Sequence, residues 1–417
     1  MSKILEEKIT ADNLSKLSDR FGRAFYLLDT SAFRTNCMEL MEAFRAVYPK
    51  FDIAYSYKTN YIPELVKIVD QLGGYAEVVS HMEMEIALRC GVAPDHIIWN
   101  GPVKDYGQAE WLLLHGGMVN IDSVYEGEQI RDIAGKYQEQ ILNVGLRCNF
   151  DVEDGVNSRF GIDIDGTDFD HMLRQIKNTP NLMFSGLQCH FAKRSVKYWP
   201  QRVKGMEKVY DHIVKKYGLK PDRIDLGGGI YGKMPEQLKE KLGIEKQGYL
   251  EYAKAAAGEL AEYFKNGEDS PTLFIEPGTA VAGDCMKFIC RVETIKTIRG
   301  KTIATVSGSQ KNISMEGINP PIRIVAGGEK QKYYRDVDFA GYTCIESDYL
   351  ARCYDGPLAV GDFLIISNCG SYSIVMKPPF ILPNVAVLDI CHDGGMENPR
   401  VLKRAEAFDD LFRTYAF

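Results

Sequence analysis

The chain has 417 residues, too many for one ordinary core of roughly 150 residues and too few for several large ones. Apolar residues make up 45% and charged residues 26%, which excludes disorder, collagen and coiled coil as overall descriptions. Fifty basic against fifty-seven acidic side chains give a net charge of −7, so nothing in the charge balance calls for nucleic acid or an anionic membrane as a partner.

The opening stretch MSKILEEKIT is charged and lacks the apolar core of a signal peptide. No apolar run reaches the ~18 residues needed to cross a bilayer. The ten cysteines are scattered, without CxxC or Cys/His ligand spacing, which points to reduced thiols, no metal site and a soluble cytoplasmic protein.

The apolar run AFYLLD (24–29) comes first and is a candidate strand. From residue 51, β-rich runs alternate with amphipathic stretches. The predicted strands are 51–58, 75–80, 97–101, 118–123, 143–150, 184–191, 223–229 and 272–278. Between them lie segments such as 62–73 and 81–91, with apolar residues at three- and four-residue spacing and a closing glycine at Gly73 and Gly91. Each crossover between parallel strands needs a helix-length connection, and eight such units are the number that closes a (β/α)8 TIM barrel. A doubly wound open sheet is the alternative. Beyond about residue 284 the helical period disappears: KFICRVETIKTIRG, KTIATVSGSQ, IRIVAGGEK and DFLIISNCGSYSIVM are β-rich and separated by turn residues. The expected division is a barrel over 30–284 and a second, mostly β C-terminal domain over 285–417, with 1–29 added to it.

In such a barrel the chemistry sits at the C-terminal strand ends. Those positions hold Lys58, Glu77, Asn100, Asp122, Arg147 with Asn149, His190, Gly227–Gly228–Gly229 and Glu276. A lysine facing inward loses solvation as an ammonium, and a neutral amine is what Schiff-base chemistry needs. The triple glycine follows the seventh strand, where backbone N–H groups approach a phosphate without Cβ obstruction. GGGIYG also matches G-x-G-x-x-G, but it falls at the seventh β/α unit and no second strand ending in an acid follows at the required distance. Glu276, ending FIEPG, is placed to hold a ring nitrogen protonated, and His190 to stack on a planar ligand.

Taken together these segments resemble the fold-type III, alanine racemase-like pyridoxal phosphate enzymes, in the diaminopimelate, ornithine and arginine decarboxylase family. YSYKTN resembles the cofactor-lysine motif, with Lys58 as the Schiff-base lysine. YAEVVS places Glu77 near the cofactor, and LRCNFD…SRFGI resembles LRxNPD…KFGI, with Phe150 for proline and Arg159 for lysine. His190 matches the ring-stacking histidine, IDLGGGI the phosphate glycines, and FIEPG the motif whose glutamate pairs with the pyridinium nitrogen. CIESD (344–348) is similar to the Cys-x-x-x-Asp motif, whose cysteine enters the partner subunit's site, and Gly370–Ser371–Tyr372 is similar to a segment whose tyrosine reaches the phosphate.

The resemblance implies a cytoplasmic homodimer that shares active sites and decarboxylates an amino acid. Pyridoxal 5′-phosphate would be its cofactor, Lys58, Cys344, His190 and Glu276 its catalytic groups, and Cys344, Glu346 and Asp348 its substrate contacts. Cys344 is then the donor of the proton that quenches the carbanion. A racemase on the same fold is the alternative, which a glutamate at 276 disfavours; a non-catalytic, cofactor-binding regulatory homologue is another. The chain departs from the family pattern at Thr279, where an arginine is usual, and at HFAKRS, where HxGS is usual. Lys193, Arg194 or Ser195 is the proposed replacement at the phosphate. Ile345 stands where an acid reads the distal end of a diamino substrate, and SGSQKNI (307–313) also lacks an acid, which leaves a less basic or carrier-linked amino acid as an open alternative.

Overall fold

A computed structural model describes residues 8–244, 248–265, 267, 269–314, 318–391 and 394–417, so most of the opening charged stretch lies outside the described residues. The chain forms two compact units: Met1–Thr35 with Lys233–Glu245 and Val281–Phe417, and Asn36–Gly232 with Lys246–Ala280. Strand β1 (Ala24–Leu28) belongs to the first. The second holds β2 (Phe51–Ser56), β3 (Tyr75–Val78), β4 (Ile97–Trp99), β5 (Met118–Ile121), β6 (Leu142–Asn149), β7 (Ile162–Asp163), β8 (Leu182–Gln188), β9 (Arg223–Asp225) and β10 (Thr272–Ile275).

Among the described residues, β2 to β6 and β8 to β10 pair in parallel in chain order, and β10 returns to β2 through Leu273↔Phe51 and Ile275↔Ile53. That last pairing closes an eight-stranded barrel and removes the open-sheet alternative. The two-residue β7, which pairs with β6, has no counterpart among the predicted strands. Most barrel strands stop a few residues earlier than the sequence pattern suggests. Where β3 and β5 end, Ser80 and Ser123 become helix N-caps and accept hydrogen bonds from Glu83 N and Glu126 N. Past β2 the chain enters a short 3-10 turn, Tyr57–Thr59, that carries Lys58.

The barrel interior is filled by Ala54, Ile98, Met118 and Phe274, with Tyr75 against them. Toward the C-terminal strand ends the filling turns polar. Asn100 and Asn120 are both buried, and Asn120 fits because β6 presents Gly145: an added Cβ there would lie 1.9 Å from Asn120 Oδ1. The Asn120 carbonyl is in turn held by Lys104 Nζ at 2.8 Å, and Lys104 also pairs with Glu126 at 2.5 Å, both side chains buried. Burial pushes the Lys104 ammonium down and the Glu126 carboxyl up, so this pair depends on both members being present.

In the first unit β1 lies antiparallel to β11 (Met286–Ile298) and parallel to β17 (Ala386–Asp389). The first half of β11 also pairs with β16 (Phe363–Ile366), which pairs with β13 (Ile322–Val325). Its second half, past an irregularity at Val292/Thr294, pairs with β12 (Lys301–Val306). Strands β14 (Lys332–Ala340) and β15 (Tyr349–Leu358) extend the sheet beyond β12, and β18 (Arg400–Lys403) ends it beyond β17. The helix Ala11–Phe21 packs Leu14 and Leu17 onto this sheet with Phe25, Ile289, Phe363 and Leu388. No described helix is long and apolar enough to cross a membrane, and all ten cysteines are free thiols.

Lys104→Met leaves Glu126 buried without its cation and is expected to cost about 3–5 kcal/mol in urea unfolding. The double variant Lys104→Met/Glu126→Gln should recover most of that loss. A single variant as stable as the parent would show that the pair does not hold the barrel rim.

Candidate active site

The C-terminal strand ends of the barrel bring together Lys58, Glu77, His190, the Gly227–Gly229 turn and Glu276. Lys58 Nζ is ion-paired with Glu77 Oε2, and Glu77 is almost fully buried. Asn100 Nδ2 bridges two carboxylates, donating to Glu77 Oε1 at 3.2 Å and to Glu276 Oε1 at 2.5 Å. Asn120 Nδ2 donates to Asn100 Oδ1 at 2.6 Å, which fixes the amide so that its NH2 faces both acids. Gln188 Nε2 adds a second donor to Glu276 Oε1 at 3.0 Å.

Burial opposes ionisation of Glu276, but the positive charges of Lys58 and Arg147 favour the anion, and the carboxyl is held below the usual range. Asp225, at the end of β9, moves the other way: burial and the neighbouring Glu276 push its carboxyl well up. Its Oδ1 accepts from Gly227 N at 2.8 Å, while Oδ2 has no donor. The two shifts favour the proton on Asp225 and the negative charge on Glu276. His190 Nδ1 accepts the N–H of Gly228 at 2.9 Å and lies 3.5 Å from Glu276 Oε2. The shorter contact, and burial lowering the histidine's pKa, select the neutral ring protonated at Nε2.

The glycine turn is shaped by what surrounds it. Gly227 has φ +72°, and an added Cβ would lie 2.3 Å from Cys189 O; a Cβ on Gly228 would lie 2.6 Å from Glu276 O. Gly229 has φ +94°. No side chain fits at the first two positions, so the turn exposes bare backbone, as a phosphate cradle requires. A buried carboxylate held ionised, a lysine one strand away and a cradle without Cβ atoms form a donor set that fits pyridoxal 5′-phosphate: an anion for the ring N–H, an amine for the aldehyde and amides for the phosphate.

Other candidates form a second group in the other unit. Cys344, Ile345 and Glu346 are exposed at the tip of a loop before β15. Asp348 at its base is buried and accepts from Ser309 Oγ at 3.0 Å, Gln310 N at 2.8 Å and Thr343 Oγ1 at 2.6 Å. Both of its oxygens are engaged, so Asp348 anchors the loop that presents Cys344. Tyr372 has φ +61°, a costly backbone for a tyrosine. The neighbouring Ser371 carbonyl accepts from Ser314 Oγ at 2.6 Å. Arg147, also at the strand ends, donates to Asp122 Oδ1 at 3.2 Å.

Sequence reasoning singled out neither Gln188, Asn120 nor Asp225. Gln188 had a signal, because it lies two residues before His190 and therefore on the same face of the strand. Asp225→Asn keeps the acceptor for Gly227 N–H and supplies a neutral donor in place of the Asp225 proton. A carboxyl raised by folding contributes stability below its unfolded pKa and loses it as pH rises through the folded value. The variant is therefore expected to gain on the parent toward pH 7.5 and match it near pH 4, read from urea unfolding at each pH. A gain confined to low pH would reverse this assignment.

The profile described as "Pyridoxal-dependent decarboxylase, pyridoxal binding domain" matches residues 34–283. Diaminopimelate decarboxylase of Aquifex aeolicus is 24% identical over 419 residues, covering 95% of this chain and 92% of that one. The crystal structure of diaminopimelate decarboxylase from Methanocaldococcus jannaschii superposes with a TM-score of 0.85 at 20% identity, over 97% of this chain and 94% of that one. That of the Helicobacter pylori diaminopimelate decarboxylase in complex with L-lysine gives 0.79 at 22%, over 94% and 96%. The barrel, with its lysine and glycine turn, lies inside the matched segment, and the chain belongs to the pyridoxal-dependent decarboxylases, as an amino-acid carboxy-lyase that uses pyridoxal 5′-phosphate.

Proposed function

We propose that this enzyme decarboxylates an amino acid of the diaminopimelate type, in a homodimer whose two subunits share each active site. The observation that carries the decarboxylase reading down to residues is the buried, ionised Glu276, held by Asn100 and Gln188. Bound at the barrel mouth, pyridoxal 5′-phosphate supplies the electron sink for the pair released when the Cα–carboxylate bond breaks, and a protonated ring nitrogen deepens that sink. Glu276 Oε2 keeps the proton on that nitrogen; a cationic neighbour would shed it and favour racemisation. Lys58 Nζ would hold the cofactor aldehyde and, once free of it, carry an ammonium. Glu77, already ion-paired with Lys58, receives the ammonium when the lysine is released.

His190, neutral and fixed by Gly228 N–H, presents its ring face to the cofactor without adding charge. The Gly227–Gly229 turn takes the phosphate. Cys344, presented by a loop anchored at Asp348, donates its Sγ proton to the carbon that has lost CO2 in the partner subunit's site, with Glu346 beside it on the substrate's distal end. The relatives named diaminopimelate decarboxylase, one of them crystallised with L-lysine, support a diamino substrate. Ile345 supports a second reading, a less basic or carrier-linked amino acid, since the residue after Cys344 brings no charge to a distal ammonium.

CO2 release across a panel of amino acids, with meso-diaminopimelate, lysine, ornithine, arginine and glutamate among them, distinguishes these readings. Racemised product without CO2 would sink the decarboxylase. Lys58→Ala is expected to lose both the visible absorbance of the lysine-bound cofactor and CO2 release by at least about a thousandfold. Mixing inactive Lys58→Ala with inactive Cys344→Ala tests the shared site: an exchanging dimer should recover about one quarter of parental activity, because half the dimers then hold one intact site. No recovery after confirmed subunit exchange would place Cys344 outside the partner's site.

A further inference from the structure

The helix Trp199–Tyr217 buries Trp199, Val203, Met206, Val209, Tyr210 and Ile213 in a three-and-four spaced stripe, and Arg202 occupies a position in that stripe. Its side chain is wholly buried. All four terminal N–H groups of its guanidinium go to backbone carbonyls on two loops. Nη1 donates to Leu226 O at 3.3 Å and Gly228 O at 2.8 Å, and Nη2 to Phe191 O at 3.1 Å and Lys193 O at 3.0 Å. Nε has no acceptor, and the cation lies 4.3 Å over the Trp199 ring.

Hydrogen bonds to neutral carbonyls orient a guanidinium but do not neutralise it. Among the described residues no carboxylate is ion-paired with Arg202; Asp154 and Glu276 reach it only as longer-range charges. A buried cation without an adjacent anion is costly, so its retention needs a reason. The carbonyls it holds belong to the glycine turn and to the segment after His190. In a trans peptide the N–H points opposite the preceding carbonyl. Holding Gly228 O and Phe191 O toward Arg202 therefore turns the N–H groups of Gly229 and Ala192 away from it, and neither has a backbone partner among the described residues.

We propose that Arg202 is a positioning residue for the cofactor phosphate: from behind the loops it fixes the amides that receive the phosphate and supplies a buried positive charge facing that dianion. Lys193, one of the sequence candidates for this role, is exposed, whereas Arg202 is enclosed where screening is weakest. The proposal rests on the reading that the phosphate occupies the Gly227–Gly229 turn.

Pyridoxal, which lacks the phosphate, provides the control. Apoenzyme prepared from the holoenzyme is titrated with pyridoxal 5′-phosphate and with pyridoxal, and the two dissociation constants are compared. Arg202→Gln is expected to lose at least about tenfold of the preference for the phosphorylated form, with pyridoxal binding unchanged. Arg202→Lys, which keeps the charge and loses the fork, should retain most of it. The 31P resonance of the bound cofactor should shift in the Gln variant and remain near the parental position in the Lys variant. Equal weakening of both ligands, or an unchanged preference in the Gln variant, overturns the proposal. If the Gln variant does not fold, a folded Lys variant that weakens pyridoxal and pyridoxal 5′-phosphate binding equally overturns it. A parent enzyme with no preference for the phosphorylated form would instead overturn the placement of the phosphate on the turn.

Discussion

One constraint organises the active-site barrel: a carboxylate, Glu276, has to stay ionised where water cannot reach it. A buried anion survives only with donors aimed at it and cations within range. Here the donors are amides, from Asn100 and Gln188, and amides carry no net charge of their own. They satisfy the oxygen without neutralising it, so the negative charge stays available to a ligand. Had an arginine stood in their place, the charge would be cancelled before any ring nitrogen arrived. Asp225 completes the arrangement because burial and Glu276 push its carboxyl well up, which disfavours a second anion beside the first.

The relay behind these amides shows how far the constraint extends. Asn100 can face Glu276 only because Asn120 fixes its carbonyl side, and the Asn120 backbone is held by Lys104, which Glu126 balances. Glu126 also accepts from Asp122 N at 2.7 Å and lies in the first turn of the following helix. A charge at the end of the last barrel strand is thus supported by groups on and after the third and fourth barrel strands. The opposite sign is handled similarly at the glycine turn, where Arg202 is held by carbonyls as Glu276 is held by amides.

Much of this was legible in the sequence, for a physical reason. Parallel barrel strands are short and buried on both faces, so 51–58 or 272–278 stand out as apolar runs, and the residue at each end projects to the mouth. The pattern alone therefore points to Lys58, Glu77, His190 and Glu276. The same logic could not show that Asn100 bridges two acids, because an amide's orientation depends on Asn120 across the barrel. Arg202 was hidden in a helix rich in cations, where only its place in the apolar stripe sets it apart from the solvated lysines around it. In the mostly β unit, β14 and β15 were missed because exposed residues there run in adjacent pairs, as at Lys332–Tyr333 and Arg352–Cys353, which breaks the alternation that marks a half-buried strand.

Gly145 has the least conspicuous side chain in the relay and the most restricted future. With Asn120 Oδ1 only 1.9 Å from where a Cβ would stand, and Gly186 O at 3.0 Å, any replacement evicts the asparagine that orients Asn100. Positions 120 and 145 are therefore bound to drift as a pair: a larger residue at one is viable only after a smaller one at the other. Divergence of this enzyme's descendants would pass through a narrow gate at these two sites, one hydrogen bond behind the amide that faces Glu276.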